Sequence, residues 1–432
     1  MNLRVCRGLY RVASYSMWRN GRPLVFCERG RKEFVPVRLF FDDQDFDGQL
    51  LRALSYAAYG GADIGECFET AARIKEGDRD SWYEAWTKTA ERMKTDAEES
   101  LQGGHPNSAR RAFMRASNYY RAAEFYVRDD PQDPRSLQGW QSSHDCFAEA
   151  ARLSDPPFEA VEIPYEDGAL PGYFFRVDDS GERRPTVITM SGLDGYLEEN
   201  YWSIAAAGLE RGYNCLAFDG PGQGGVLRQR EVPFRPDWEA VVTPVLDFAL
   251  KRPEVDPEHM ALVGRSFGGY LAPRAASAEH RLAACVADPG QFDLFDAAMA
   301  RVPQDTREAL LRNDPAVDSS LDKMMEGDAR HFFIAARMRA YGAKTLKEFL
   351  LMQRDYTLKG LVEKIECPTL VCDNVADSIA GGQAKRLYEA LKCPKDYVLF
   401  TAEQGAEGHC EGGAQVLFHR VAYDWLDKTL AS

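Results

Sequence analysis

The sequence predicts an α/β fold, a mostly parallel sheet with helices on both faces, preceded by a mainly helical segment and interrupted by a helical insertion. The spacing of apolar residues changes from helical to alternating near residue 156, and short buried strands then alternate with amphipathic helices. One interval between strands, about 292–356, is far longer than a crossover needs. We therefore expect a helical N-terminal domain, 1–155, that covers a site at the sheet edge, and an α/β domain, 156–432, whose insertion forms a cap.

The segment from about 46 to 153 has the period of packed helices. Trp82, Trp86 and Ala90 recur about one turn apart, as do Ala112 and Ala116. This spacing places apolar side chains on one face of each helix. Residues 1–45 carry apolar stretches near 23–26 and 34–41, which fit short strands and extended packing segments equally well, and the choice stays open.

The second part of the chain carries the strand signals. Segments 158–165 and 172–177 alternate with period two around the turn residues Glu166-Asp167-Gly168, which predicts an antiparallel pair. Short buried strands follow at 186–190, 214–218, 260–263, 284–287, 369–372 and 397–401. Amphipathic stretches between most of them predict a parallel sheet covered on both faces.

Composition excludes several kinds of partner. The chain has 432 residues and a formal net charge of −14, so nucleic acid and anionic membranes are not expected to bind. Its ten cysteines are scattered without a C-x-x-C pair, which favours a reducing compartment, the cytoplasm. No stretch approaches the roughly 18 apolar residues of a membrane span. The arginine-rich stretch 4–22 is similar to a transit peptide but lacks the apolar core of a secretory signal, and a solvated or docked arm is the simpler interpretation.

The pentapeptide Gly264-Arg265-Ser266-Phe267-Gly268 follows a short apolar run and precedes a helix-compatible segment. This pattern predicts a strand, a sharp turn and a helix, with the serine at the apex of the turn. Small residues two positions before and after it would let the strand and the helix approach closely. The side chain of Ser266 would then project from the sheet edge as a candidate nucleophile.

An acid and a histidine follow this serine in the chain, each just past a predicted strand. Asp377 comes after 369–372, and His409 lies in a glycine-bracketed loop after the last strand. Serine needs a base within hydrogen-bond reach, imidazole supplies it, and a carboxylate fixes the tautomer of the imidazole. We expect Ser266 as nucleophile, His409 as base and Asp377 as the orienting acid, with Asp373 as the alternative acid. The order Ser, Asp, His is that of the α/β-hydrolases.

Two backbone amides are expected to bind a developing oxyanion. One is that of Phe267, and the other is that of Leu193 in the glycine-containing loop 191–195. The glycine-rich loop 221–225 matches neither phosphate-binding pattern, and we expect it to pack closely near the site. The remaining histidines show no H-x-H or H-E-x-x-H spacing, so neither a metal nor another cofactor is expected.

Five segments together resemble one group of α/β-hydrolases. They are YGGAD at 59–63, ASNYYRAAEF at 116–125, SGLDG at 191–195, FDGPGQG at 218–224 and GRSFGG at 264–269. The group includes the bacterial 2,6-dihydroxypseudooxynicotine hydrolase and fungal polyketide-shortening hydrolases of pigment synthesis. The resemblance, over about 50–430, implies a serine hydrolase whose helical N-terminal domain folds over the site. Members cleave carbon–carbon bonds beside a carbonyl, and relatives include esterases. Some have an extra acid after the sixth strand, where this chain has Asp288, Asp293 and Asp296.

The expected substrate is a medium-sized, aromatic or polyketide-like small molecule. Tyr59, Tyr119 and Tyr120 are candidate pocket walls, although aromatic residues at helical spacing serve equally well as core, and Asp194 is a further candidate contact. Hydrolysis of a C–C bond next to a carbonyl is the leading interpretation. A carboxylesterase, lactonase or thioesterase is the second, and a non-catalytic ligand-binding protein on a hydrolase fold is the third. A homodimer is an open option for the oligomeric state.

Overall fold

The computed structural model describes residues 38–312, 314, 317–326 and 328–431. Residues 39–432 form one compact unit. The arginine-rich stretch and the apolar stretch near residue 23 lie outside the described residues, as does the first half, 34–37, of the second apolar stretch. Within the described part, the helical segment and the sheet share a continuous apolar core, in which the rings of Phe147 and Tyr173 lie 5.1 Å apart.

The described chain contains one eight-stranded sheet of order β1-β2-β4-β3-β5-β6-β7-β8. Its strands are β1 Glu159–Tyr165, β2 Gly168–Phe175, β3 Arg184–Met190, β4 Asn214–Phe218, β5 Val255–Arg265, β6 Ala284–Asp288, β7 Thr369–Asn374 and β8 Lys395–Phe400. Strand β2 is antiparallel to both of its neighbours, and the remaining pairs are parallel. The predicted fold class is therefore confirmed.

Helices precede the sheet and cover both of its faces. Before the sheet come α1 Gln44–Ser55, α2 Ile64–Ala71, α3 Arg79–Gln102, α4 Pro106–Glu124 and α5 Pro134–Arg152. Between and after the strands come α6 Ala206–Leu209, α7 Gly224–Arg230, α8 Glu239–Ala249, α9 Gly268–Ala276, α10 Leu294–Met299, α11 Gln304–Leu311, α12 Val317–Met324, α13 Asp328–Tyr341, α14 Leu346–Met352, α15 Gln383–Ala390 and α16 Gln415–Leu430. Among the described residues, no helix is long and apolar enough to cross a bilayer.

Successive side chains of the strands point to opposite faces of the sheet and pack into two apolar cores. In β4, Cys215 and Ala217 join the core shared with the N-terminal helices, whereas Leu216 and Phe218 join the core on the opposite face. This alternation follows from the two-residue period of a strand. Because both faces are covered, the strands read as continuous apolar runs in the sequence.

The helical insertion, α10 to α14, lies between β6 and β7 and reaches the carboxyl edge of the sheet. The Arg301 guanidinium donates to the carbonyls of Ser378, at 2.9 Å, and of Ile379, in the loop after β7. On its other side, the Arg339 guanidinium donates to the carbonyl of Arg128, just after α4, at 2.9 Å. The insertion therefore touches both the loop that follows β7 and the N-terminal helical segment.

Candidate active site

Ser266 occupies the turn between β5 and α9 with a left-handed backbone, at a φ of 56°. Such a conformation is strained for a residue with a side chain, and the amide of Ser266 is held by the Asp288 carbonyl at 2.7 Å. A Cβ on Gly264 would come within 2.0 Å of the Gly268 carbonyl oxygen. On the C-terminal side of Ser266, the close approach requires a glycine at position 269 and not, as the sequence predicted, at position 268. A Cβ at Gly268 would meet nothing closer than 3.7 Å, whereas one at Gly269 would lie 1.9 Å from a backbone oxygen.

Three predicted residues form one hydrogen-bonded chain. The Ser266 hydroxyl lies 2.9 Å from His409 Nε2, and His409 Nδ1 lies 2.9 Å from Asp377 Oδ2. With a neutral imidazole, the serine donates to Nε2 and Nδ1–H donates to the carboxylate. The other oxygen of Asp377 accepts from the amides of Ile379 at 2.6 Å and Ala380 at 3.0 Å. These bonds fix the carboxylate, which in turn fixes the orientation of the imidazole.

Asp373, the alternative acid, is bonded elsewhere. Strand β7 runs two residues further than expected, so Asp373 lies inside the ladder rather than past its end. Its carboxylate accepts from the Tyr397 hydroxyl at 2.5 Å and from the Asn374 amide at 2.9 Å. Because β7 is longer than expected, Asp373 pairs with a residue of β8. Asp377 is the acid that comes after the end of the strand.

Electrostatics favour a charged imidazole in this chain. Burial lowers the pKa of His409, but the adjacent Cys410 and Asp377 side chains outweigh burial and raise it well above its ordinary value. Burial likewise opposes ionisation of Asp377, yet its bond and charge interaction with His409 give a net lowering of the Asp377 pKa. The site therefore stabilises the imidazolium that forms when serine loses its proton.

The loop that carries His409 is held in an unusual backbone conformation. Its left-handed residues are not the bracketing glycines 408 and 412 but Cys410, with φ 53°, and Glu411, with φ 47°. The Glu411 carboxylate accepts from Arg265 Nη2 and from the Asn374 amide group, each at 2.9 Å. Arg265 Nη2 also donates to the Cys410 carbonyl at 2.5 Å. Arg265 and Asn374 therefore hold the strained loop in place.

This network contains two buried acids and one arginine. Arg265 Nε donates to Asp288 Oδ2 at 2.7 Å, and the side chains of Asp288 and Glu411 are both 0% exposed. Burial and the Asp288 carboxylate raise the pKa of Glu411 well above its ordinary value, despite Arg265. No local sequence pattern indicates this network, because Asp288 ends β6 and Glu411 lies far along the chain, in the loop after β8.

Two backbone amides are expected to bind an oxyanion beside the serine. Within the described residues, neither the Phe267 amide nor the Leu193 amide donates to a protein acceptor. A Cβ on Gly192 would lie 2.8 Å from Ser266 Cβ and 3.2 Å from the Phe267 nitrogen. The missing side chain at Gly192 therefore lets the loop after β3 approach the serine closely.

A buried glutamine that sequence reasoning missed holds this loop. The Gln223 amide group donates to the carbonyls of Ser191 and Gly192, and its own carbonyl accepts from the Gly220 amide at 2.9 Å. The glycine-rich loop 221–225 thus packs against loop 191–195, and its glutamine provides the contact. A glutamine between glycines just after a strand was the available signal.

Asp194 forms an ion pair with the helical segment. Arg128 donates to the Asp194 carboxylate at 2.7 Å and to its carbonyl at 3.3 Å, and Arg52 donates to the same carbonyl at 3.4 Å. Burial opposes ionisation of Asp194, but Arg128 and further cations give a net lowering of its pKa. The residue predicted to contact substrate therefore connects the N-terminal helices to the loop that contains Leu193.

The three tyrosines proposed as pocket walls are engaged away from the serine and histidine. The Tyr119 hydroxyl donates to Glu66 at 2.7 Å, and Tyr120 is buried in the core of the helical segment. The Tyr59 hydroxyl donates to Glu210 at 3.3 Å. These contacts are typical of core packing and of links between helices, and no hydrogen bond joins these tyrosines to the serine–histidine pair.

The acids after β6 are also engaged. Asp293 caps α10 and accepts from Lys359 at 2.7 Å, and Asp296 accepts from Arg386 at 2.8 Å. Together with the Asp288–Arg265 pair, these contacts commit all three candidate acids to cationic side chains. None of them is bonded to His409 in the described chain.

Comparison with known proteins identifies the family. A model of the FrsA-like esterase family matches residues 65–303, more than half of the chain. The chain belongs to this family. Hydrolase LUC6 of a Fusarium species is 35% identical over 409 residues, which cover 90% of this chain and 97% of that protein. The 20-hydroxy-prefusarin hydrolase FUS2 of Gibberella moniliformis is 35% identical over 414 residues, 90% of this chain and 98% of that protein. The chain is therefore an enzyme, a hydrolase, as predicted.

Solved structures agree with the fold. The 2,6-dihydroxy-pseudo-oxynicotine hydrolase superposes with a TM-score of 0.71 at 23% identity, over 87% of this chain and 95% of that one. AbyA5 superposes with a TM-score of 0.57 at 18% identity, over 88% and 98%. The resemblance inferred from the five sequence segments is confirmed, and the α/β-hydrolase fold with it.

Proposed function

We propose that this FrsA-like hydrolase uses Ser266, His409 and Asp377 as a catalytic triad to cleave a C–C bond next to a carbonyl. The expected substrate is a medium-sized, polyketide-like or aromatic small molecule. The observation that carries the proposal is the hydrogen-bonded chain from the Ser266 hydroxyl through His409 to Asp377, with 2.9 Å at each step. It combines a strained nucleophile, a base and an orienting acid.

The proposed reaction proceeds through an acyl-enzyme. Ser266 Oγ attacks the carbonyl carbon while its proton passes to His409 Nε2, and the oxyanion is bound by the Phe267 and Leu193 amides. The tetrahedral intermediate collapses, the C–C bond breaks, and the electron pair leaves as an enolate that takes the proton from Nε2. Water then attacks the acyl-enzyme with His409 as base, which releases the acid and restores the serine.

The raised pKa of His409 supports a role as proton donor to carbon, because the imidazolium persists until the enolate forms. A relative named 20-hydroxy-prefusarin hydrolase, 35% identical over 90% of this chain, supports an elaborate small-molecule substrate. The eight described cysteines are free thiols, which supports a reducing, cytoplasmic setting.

A carboxylesterase, lactonase or thioesterase is the second candidate, favoured by the description of the family as esterases. The first two steps are the same in both reactions, and only the leaving group differs. Matched pairs of substrates that share an acyl group, one a β-diketone and one an ester, separate the candidates. The C–C proposal expects the larger kcat/KM for the diketone, and turnover of the ester alone overturns it.

Labelling with a fluorophosphonate tests the nucleophile. We expect one label per chain at Ser266, no label in Ser266→Ala or after denaturation, and full labelling of the exposed control Ser108→Ala. Turnover should fall to background in Ser266→Ala while the circular dichroism spectrum stays unchanged. Normal turnover in that variant would refute the triad.

A further inference from the structure

A cavity of about 180 Å³ lies outside the Ser–His–Asp site, between α5, α7 and the loop after β4. Its walls include Trp140 and His144 of α5, Val226 of α7, and Asp219. It reaches the surface beside the exposed Glu162, so a solute can enter. None of its lining residues is one that the proposed catalysis uses.

Within the described chain, three buried polar atoms on the lining residues make no hydrogen bond of normal geometry. They are Glu198 Oε2, Asp219 Oδ1 and Trp140 Nε1, on residues that are 1%, 1% and 5% exposed. The second oxygen of each acid is engaged: Glu198 Oε1 lies 2.8 Å from His144 Nδ1, and Asp219 Oδ2 accepts from the Gly225 amide at 3.2 Å. Buried polar atoms are costly unless they are hydrogen-bonded, so these two acceptors and one donor call for a ligand that complements them.

The charge of the cavity favours a cation. Burial, together with the Glu198 carboxylate, raises the pKa of Asp219 to about 8. Arg228, which acts in the opposite direction, is bonded to Glu124 at 2.9 Å. His144, whose pKa the Glu198 carboxylate raises, pairs with one oxygen of Glu198 at 2.8 Å, so the second oxygen of each acid stays without a hydrogen-bonded cation. A positive group between Glu198 and Asp219 would supply the missing charge.

The rest of the lining favours an organic cation over a metal ion. The Trp140 and His144 rings stack at 5.4 Å with an interplanar angle of 15°, and Leu197 and Val226 add apolar side chains. Two free carboxylate oxygens are fewer than the roughly six that a divalent cation needs. Among the described residues, no group of three or more His, Cys, Asp or Glu is arranged to hold a metal.

We propose that this cavity binds a small primary ammonium compound that carries a neighbouring hydroxyl, as amino alcohols do. The ammonium donates to Glu198 Oε2 and Asp219 Oδ1, the hydroxyl oxygen accepts from Trp140 Nε1, and the short carbon chain lies against the Trp140 ring. Each orphaned atom thereby gains a partner of the right kind.

Isothermal titration with three probes of similar size tests the proposal. The probes are ethanolamine, propylammonium, which lacks the hydroxyl, and ethylene glycol, which lacks the charge. At about pH 8.5, Asp219 is largely ionised and a primary amine still holds its proton. We expect saturable binding of one ethanolamine per chain, about 3- to 10-fold weaker binding of propylammonium, and at least 10-fold weaker binding of ethylene glycol. Equal binding of ethanolamine and ethylene glycol would overturn the proposal.

Isosteric variants locate the site. Glu198→Gln and Asp219→Asn should each weaken ethanolamine binding by about 10-fold or more, because each removes one charged acceptor. The rim control Glu162→Gln should change it less than about 3-fold, and Ser266→Ala should leave it unchanged. Wild-type affinity in both acid variants, or loss of binding in Ser266→Ala, contradicts the assignment.

A crystal of the wild-type protein soaked in ethanolamine gives a result that needs no variant to fold. Density for the ligand between Glu198 and Asp219, with its oxygen near Trp140 Nε1, supports the site. Water molecules alone at these three atoms overturn it.

Discussion

Replacing Arg265 with methionine should destabilise the protein more than any surface charge change. The guanidinium is the cation that contacts Asp288 at 2.7 Å and Glu411 at 2.9 Å, and both acids are 0% exposed. Methionine keeps most of the apolar stem but leaves an ionised carboxylate buried without a counter-ion. Breaking one partner of a buried pair costs about 3–5 kcal/mol, and we expect a loss in that range in the free energy of unfolding.

Activity should fall as well, for a separate reason. Arg265 donates to the Cys410 carbonyl at 2.5 Å and to the Gln415 side chain at 2.5 Å, and Cys410 directly follows His409, the proposed base. Without these bonds the strained residues Cys410 and Glu411 can relax and carry His409 away from Ser266. A displacement of about 1 Å at a catalytic group costs on the order of 100-fold in rate, so kcat should drop by about that factor while the protein is still folded.

Urea unfolding and steady-state kinetics measure the two effects. Arg420→Met is the matched control, because its pair with Asp424 spans 4.0 Å on the exposed face of α16 and should contribute less than about 1 kcal/mol. The double variant Arg265→Met/Asp288→Asn should recover part of the lost stability, since it removes the unpaired charge. If Arg265→Met unfolds within about 1 kcal/mol of wild type and keeps its kcat, the buried network does not hold the loop.

Three further predictions follow from the site and its surroundings. The base, His409, must be neutral to accept the serine proton, so kcat/KM should rise with pH through a pKa above the ordinary histidine value. Asp377→Asn should shift this rise in kcat/KM to lower pH, and a pH–rate profile measures both effects. Gly192→Ala should abolish turnover and fluorophosphonate labelling with little change in unfolding, because its Cβ would lie 2.8 Å from Ser266 Cβ; labelling at the wild-type rate would contradict the tight approach. Burial lowers the pKa of His419 to about 4, so the unfolded chain binds a proton that the folded chain does not, and stability is lost as pH falls from about 6.5 towards 4. Between about pH 7 and 5, the free energy of unfolding of the wild type should fall by about 2 kcal/mol relative to that of His419→Gln, and the exposed control His280→Gln should follow the wild type. Parallel pH dependence of the wild type and His419→Gln would refute the assignment.

The fold and the serine turn could be predicted because both are written in local patterns. Strand β4 has the predicted bounds, since a buried strand between two covering layers leaves an uninterrupted apolar run. The turn at Ser266 needs a close approach that only glycine permits, and this need is visible as Gly264 in the sequence. The position of Asp377 followed from the rule that ligand-facing groups come after the carboxyl ends of parallel strands.

Other features depend on contacts between distant parts of the chain and left no local signal. Strand β7 extends to Asn374 because its backbone pairs with β8, which a run of apolar residues ending at Cys372 does not reveal. Arg128 pairs with an acid 66 positions later, and nothing near it in the sequence indicates that contact. The tyrosines at helical spacing looked the same whether they faced a ligand or a core, because the period alone fixes the face and not what covers it.

The ion pairs of Arg52 and Arg128 change the interpretation of the helical segment. Arg52 of α1 binds the Glu199 carboxylate through two nitrogens, at 2.9 and 2.7 Å, and that carboxylate also accepts from the Tyr196 amide at 3.0 Å. Arg128 binds Asp194 next to the Leu193 amide. The loop after β3 is thus held from the sheet side by Gln223 and from the helical side by two arginines. A cover that swung open at each turnover would have to break these charged contacts, each costly to leave unpaired. The helical segment is therefore tied to the loop after β3 by charged contacts, and in the proposed mechanism Arg52 and Arg128 are positioning residues for the Leu193 amide.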